Sequence, residues 1–126
     1  MYHLGLVALG GAIGASGRYL AGLAALRLIG PGFPFGTLFV NISGSLAMGL
    51  FAGLLAEKFQ GGGEGLRLFI ATGILGGYTT FSAFSLETVG LWERGQTFQA
   101  ILYIAASVCI SLMALAAGLW MARIMA

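Results

Sequence analysis

The sequence predicts an all-α membrane protein of four transmembrane helices, the third broken at mid-membrane, assembled as an antiparallel dual-topology homodimer. Three observations predict it. Of the 126 residues, 59% are hydrophobic and only 8% charged, against about a quarter charged in a soluble domain. The apolar residues fall in runs of about Leu4 to Leu26, Phe35 to Ala56, Leu66 to Leu91 and Phe98 to Ala122. Each run reaches the ~20 residues that a helix needs to span hydrocarbon. The basic residues are almost evenly divided between the two sides of such a bundle. Tight loops leave no room for a soluble domain, so residues 1–126 are expected to form a single four-helix transmembrane domain.

The first segment carries Gly10, Gly14 and Arg18 at i, i+4 and i+8, and the second carries Ser45, Gly49 and Gly53 likewise. Small residues at that spacing let backbones approach closely in lipid, so at least one glycine-lined helix contact is expected. Arg18 places a charge two-thirds of the way along its span, which costs a few kcal/mol unless it is solvated or paired. Glu87 of the third segment is the candidate partner, in an ion pair or at a vestibule. Tyr2, Trp92 and Trp120 fall near segment ends and read as interfacial anchors. Met1-Tyr2-His3 has no basic n-region, and the apolar run that follows is too long for a secretory signal.

Two polar stripes come next. In the second segment Thr37, Asn41 and Ser45 repeat every four residues, and in the fourth Tyr103, Ser107 and Ser111 do the same. At 100° per residue each triplet drifts only about 80°, so each makes one narrow face covering about 12 Å of axis. Hydroxyls and an amide can donate hydrogen bonds to an anion without clamping it as a fixed charge would. The same side chains also bond helix to helix. Two parallel stripes beside a broken helix favour a lined path. Cys109 is the only cysteine, which excludes an intrachain disulfide, and it is expected to be a small buried hydrophobe.

The third segment contains Gly76-Gly77-Tyr78-Thr79-Thr80-Phe81-Ser82-Ala83-Phe84-Ser85. Its adjacent glycines are expected to loosen the helix, and its threonines to compete for the freed backbone groups. Broken backbone at bilayer depth is tolerated only when buried in protein or lining a cavity, which implies a permeation or binding pathway. Phe81 and Phe84, three apart, fall on one helical face. Aromatic edges are positive, and edges pointed into a narrow pore attract an anion weakly enough for it to leave again.

Other chemistries find little support. The four acidic residues are Glu57, Glu64, Glu87 and Glu93, none central in a span, whereas a proton-coupled transporter normally needs an intramembrane carboxylate. Gly11, Gly14 and Gly17 have neither a preceding strand nor a Gly-Lys-Ser/Thr end, so no nucleotide site is expected. Six basic residues and a net charge of +2 imply no nucleic-acid surface, and the lone histidine, His3, gives no metal site.

With four spans, both termini and the central loop share one side. Lys58, Arg67 and Arg123 lie there; Arg27 and Arg94 lie opposite, joined by Arg18 snorkelling outward. Orientation follows the Lys/Arg imbalance of short loops, and three face three. Such a chain should insert both ways round and pair as an antiparallel homodimer, unless other factors settle one orientation.

The residues now on the page resemble the Fluc or CrcB family of small bacterial fluoride channels, over essentially the whole chain. The similarity rests on Gly17-Arg18-Tyr19, on Gly36-Thr37-Leu38-Phe39-Val40-Asn41, and above all on the third-segment run extended through Leu86-Glu87. Tyr78 and Ala83 are mild departures. The resemblance implies a fluoride-selective channel of the bacterial cytoplasmic membrane that exports fluoride passively, with two pores in an antiparallel homodimer. It implies a structural sodium ion at the dimer centre, held by backbone carbonyls that match Gly76 and Thr79 of both subunits. It assigns Phe81 and Phe84 to an aromatic fluoride-binding box. Asn41 becomes a pore-lining donor, with Tyr103, Ser107 and Ser111 as a polar track. The competing reading is a small multidrug or guanidinium exporter, also four-helical and charge-balanced. That class needs a carboxylate in its first helix, where this chain has Arg18.

Overall fold

A computed structural model describes residues 1–59 and 62–125. Helices account for nearly all of them: α1 (Tyr2–Leu28), α2 (Phe35–Phe59), α3 (Glu64–Arg67), α4 (Gly76–Tyr78), α5 (Phe81–Glu93) and α6 (Thr97–Met125). Between α3 and α4, Leu68–Leu75 winds as a wider π-helix. Among the described residues four stretches are long and apolar enough to cross a membrane: Tyr2–Leu28, Phe35–Lys58, Glu64–Glu93 and Thr97–Met125. The apolar runs read from the sequence lie inside these four.

Successive spans reverse direction, so α1 runs parallel to the third span and α2 parallel to α6. These two pairs are the close seams of the fold, and glycine makes both. A Cβ at Gly14 would collide with the Ile74 carbonyl, and one at Gly77 would stand 2.8 Å from the Gly11 carbonyl. On the other seam a Cβ at Gly49 would strike the Leu115 carbonyl, and one at Gly118 the Leu46 carbonyl. Lipid supplies no hydrophobic drive between helices, so dispersion at this short range holds them.

The third span is interrupted at its threonines rather than at its glycines. Gly76 (φ −63°, ψ −39°) is helical, as is Gly77. Helix ends after Tyr78; Thr79 (φ −88°, ψ 159°) and Thr80 (φ −154°, ψ 119°) are extended, and α5 restarts at Phe81. The expectation that the glycine pair loosens the helix is therefore corrected. What Gly77 contributes is its missing side chain, which lets α1 approach.

Cys109 is also corrected: it lies exposed on the outer face of α6. Ser107 faces inward, and two residues further along a helix the side chain has turned about 200°. Tyr2, Trp92 and Trp120 likewise point outward. The buried cluster is Phe84, Leu91, Ala100 and Tyr103, with Phe33 and Leu38 against it.

Candidate functional site

Asn41 holds the interruption open. Its Nδ2 donates to the Thr80 carbonyl at 3.0 Å, and its Oδ1 accepts the Thr80 N–H at 2.8 Å. One amide thus satisfies both backbone groups of an extended residue, as a neighbouring strand would. In a continuous helix the Thr80 N–H would close onto Gly76. Thr80 also caps the next helix, its Oγ1 accepting the Ala83 N–H at 3.1 Å. That N–H would otherwise have reached the Thr79 carbonyl. The carbonyls of Gly76 and Thr79 therefore lose their helical donors together, and Gly76 faces outward on the protomer.

A cleft of about 370 Å³ opens beside this turn, between α2, α5 and α6. Asn41, Ser45, Phe81, Phe84, Ser107 and Ser111 line it. Phe84 is buried and Phe81 is 76% exposed, yet their rings stay 5.4 Å apart at 50°. Ser107 is 6% exposed. The hydroxyl oxygens of Ser107 and Ser111 are both buried without a hydrogen-bond partner. Buried hydroxyls are nearly always bonded, so this pair on one face of α6 leaves two donors that no protein group uses.

Above the cleft the stripes meet on Glu87. Tyr103 donates from its hydroxyl to Glu87 Oε1 at 2.8 Å, and Thr37 Oγ1 donates to Oε2 at 3.0 Å. Parallel packing of α2 and α6 brings Thr37 level with Tyr103, while α5 carries Glu87 between them. Arg18 shares a cleft of about 320 Å³ with Glu87, Thr37 and Thr80. It does not pair with the carboxylate, which corrects the ion pair considered from the sequence. Arg18 Nε instead donates to the Gly77 carbonyl at 3.1 Å. The interruption has taken the helical donor from that carbonyl, and both Glu87 oxygens are already satisfied.

The structure thus gathers Asn41, Phe81, Phe84, Ser107 and Ser111 on one cleft, joins Thr37 and Tyr103 through Glu87, and leaves Gly76 and Thr79 beside the turn. The sequence led to the expectation that the threonines compete for freed backbone groups, and Thr80 does so by capping α5; its pairing with Asn41 was not foreseen. Threonine directly before a helical run is a favoured N-cap, whose side chain accepts the N–H three residues on. Tyr78 was read only as a departure. Its hydroxyl lies 2.9 Å from Ser43 Oγ, which donates in turn to the Phe39 carbonyl at 2.7 Å.

The chain is similar to known proteins over most of its length. The family model described as CrcB-like protein, Camphor Resistance (CrcB), matches residues 5–119. A protein of Mesorhizobium japonicum named fluoride-specific ion channel FluC is 55% identical, covering 98% of both chains. Proteins with that same name from Chelativorans sp. and Hyphomonas neptunium are 57% and 59% identical, covering 98% and 94% of this chain. Two of the three stretches that carry the resemblance, residues 36–41 and 76–87, meet at the Asn41–Thr80 pair, and the chain belongs to the CrcB-like family.

Proposed function

We propose that this protein is a fluoride-selective channel of the bacterial inner membrane, exporting fluoride passively along the serine cleft. The orphaned Ser107 and Ser111 hydroxyls beside Phe84 carry the reading. An anion entering an apolar span loses its hydration, and each lost contact must be replaced. The two serine hydroxyls can donate to it, and Asn41 keeps a second N–H beyond the one given to Thr80. The ring edges of Phe81 and Phe84 add weak positive potential at the same place. Donors that are neutral bind weakly enough for release, which conduction requires. An inside-negative potential drives the anion outward with about 2.3 kcal/mol per charge per 100 mV. Thr37, Glu87 and Tyr103 stand at the end of the track, with Arg18 at a vestibule beside it.

The working unit is an antiparallel homodimer with two pores, the interruption of the third span lying at bilayer mid-depth. The even division of Lys and Arg supports dual insertion. An exposed Phe81 and an open cleft on the isolated protomer leave room for a second copy to complete the wall. Two further lysines in the loop between Lys58 and Arg67 should lock one orientation and abolish flux; activity with one orientation alone would contradict the dimer. Gly76 and Thr79 of both copies would hold a sodium ion through their carbonyls. Oxygen-only ligands suit a hard cation; the Asn41–Thr80 pairing releases the Gly76 carbonyl, and the Thr80 cap on Ala83 releases that of Thr79. When bound, that ion supplies a fixed positive charge between the subunits. Purification in N-methylglucamine instead of sodium should lower the thermal stability of the dimer, and an unchanged melting profile would count against the site.

The exporter reading is not favoured. It needs a carboxylate in α1, where the only charge besides Arg27 is Arg18. Liposomes loaded with potassium fluoride, with valinomycin relieving the electrical brake, test the function. Fast fluoride loss with chloride retained in a parallel preparation is the expected result. Retained fluoride around folded, dimeric protein would overturn the proposal.

A further inference from the structure

We infer that Phe33 narrows the end of this route beyond Glu87 and sets how fast an anion passes it, an inference that rests on the channel reading above. Tyr103 is fully buried between two aromatic rings. Phe84, which lines the serine cleft, lies 5.1 Å from it; Phe33 lies 5.4 Å from it, edge to face at 80°. Phe33 belongs to a different cleft, of about 510 Å³, which it lines with Thr37, Glu87 and Arg94. The two clefts share no lining residue. The row Phe84–Tyr103–Phe33 stands between them, with the Glu87 carboxylate held across it by Thr37 and Tyr103. The row is one wall of the passage between them; the Arg18 cleft is the other way round it, meeting the serine cleft at Thr80 and the second cleft at Thr37 and Glu87.

Of the row, Phe33 alone is carried by a connection rather than by a helix. Phe84 and Tyr103 are fixed on helices, and the Tyr103 hydroxyl is engaged. Phe33 sits in the connection between α1 and α2, within Gly30-Pro31-Gly32-Phe33-Pro34. Gly30 turns there at φ 109°. The prolines have no N–H to anchor the loop. Its backbone bonds are Gly30 N–H to the Ala25 carbonyl at 3.3 Å, Phe35 N–H to the Phe33 carbonyl at 2.8 Å and Leu38 N–H to the Pro34 carbonyl at 3.2 Å, which tie its two ends to the helices. The ring is held by packing on Tyr103 and on Phe35, whose centroid is 4.9 Å away. A ring held in this way can turn aside without breaking backbone structure, and the donors that choose the ion lie elsewhere.

The test compares wild type, Phe33→Ala and Phe33→Trp in fluoride-loaded and chloride-loaded proteoliposomes, each variant first shown to elute as wild type does. Phe33→Ala should speed fluoride loss severalfold and Phe33→Trp should slow it severalfold, with chloride retained by both. Wild-type rates in both folded variants would overturn the inference, as would a slower Phe33→Ala or a chloride leak through it. Should the alanine variant fail to fold, Phe33→Leu against Phe33→Trp decides in the same sense. A wild type that passes no fluoride removes the channel reading itself; a conducting wild type with unaltered variants removes only the role of Phe33.

Discussion

Along α2 and α6 one four-residue spacing gives two opposite results. Towards their C-termini Gly49 and Gly53 lie on Leu115, Gly118 and Ala122, so closely that a Cβ would strike the partner backbone or Ala122. Towards their N-termini the same stripes carry Thr37, Asn41 and Ser45 opposite Tyr103, Ser107 and Ser111, and the helices stand apart around Phe84 and a cleft. Periodicity chose the facing residues in both halves. Side-chain size and polarity then decided whether the halves closed or opened. The glycine half holds the pair together, so that the polar half can leave hydroxyls without protein partners.

Breaking the closed half should have the largest effect. Gly118→Leu would force a side chain into the Leu46 carbonyl and the backbone of Gly49 and Leu50. Overpacking a tight core costs about 1–3 kcal/mol, and rigid backbone on both sides puts this case at the upper end or beyond. Size-exclusion chromatography in detergent should show little monodisperse protein; a wild-type profile would mean that the seam is looser than described.

Asn41→Ala attacks the boundary between the halves. It strips partners from the Thr80 N–H and C=O, each worth about 1–3 kcal/mol when buried and unsatisfied. The melting temperature should fall by several degrees, and fluoride flux should fall with it as the turn loses its geometry. Full stability in this variant would show that the extended threonines hold themselves.

The open half should respond in the reverse sense. Ser107→Ala and Ser111→Ala remove hydroxyls that have no partner in the protein, so thermal stability should change little. Flux should fall about tenfold or more, since a hydrogen bond to a charged group contributes about 1.5–3 kcal/mol.

Much of this arrangement was legible in the sequence for physical reasons. Spans are readable because each needs ~20 apolar residues, and the stripes because i, i+4 positions share a helix face. That arithmetic also brought Thr37, Asn41, Tyr103, Ser107 and Ser111 to one side. It failed where partners come from distant segments. Nothing local says that Asn41 pairs with Thr80, or that Glu87 takes Thr37 and Tyr103 instead of Arg18. The glycines misled because the same residue serves both flexibility and close approach, and only the position of α1 shows which is in use. Cys109 was misplaced because composition favours a buried thiol, while its angular position on α6 turns it outward.

The central claim is that the unpartnered serines conduct fluoride. It is tested most directly by comparing wild type with the Ser107→Ala/Ser111→Ala double variant in valinomycin-treated proteoliposomes, at matched protein content and confirmed folding. The account predicts rapid fluoride loss with chloride retained for wild type, and fluoride loss at least about tenfold slower for the double variant. Equal fluoride rates from the two proteins would contradict it, and the route would have to be sought on another face of α6.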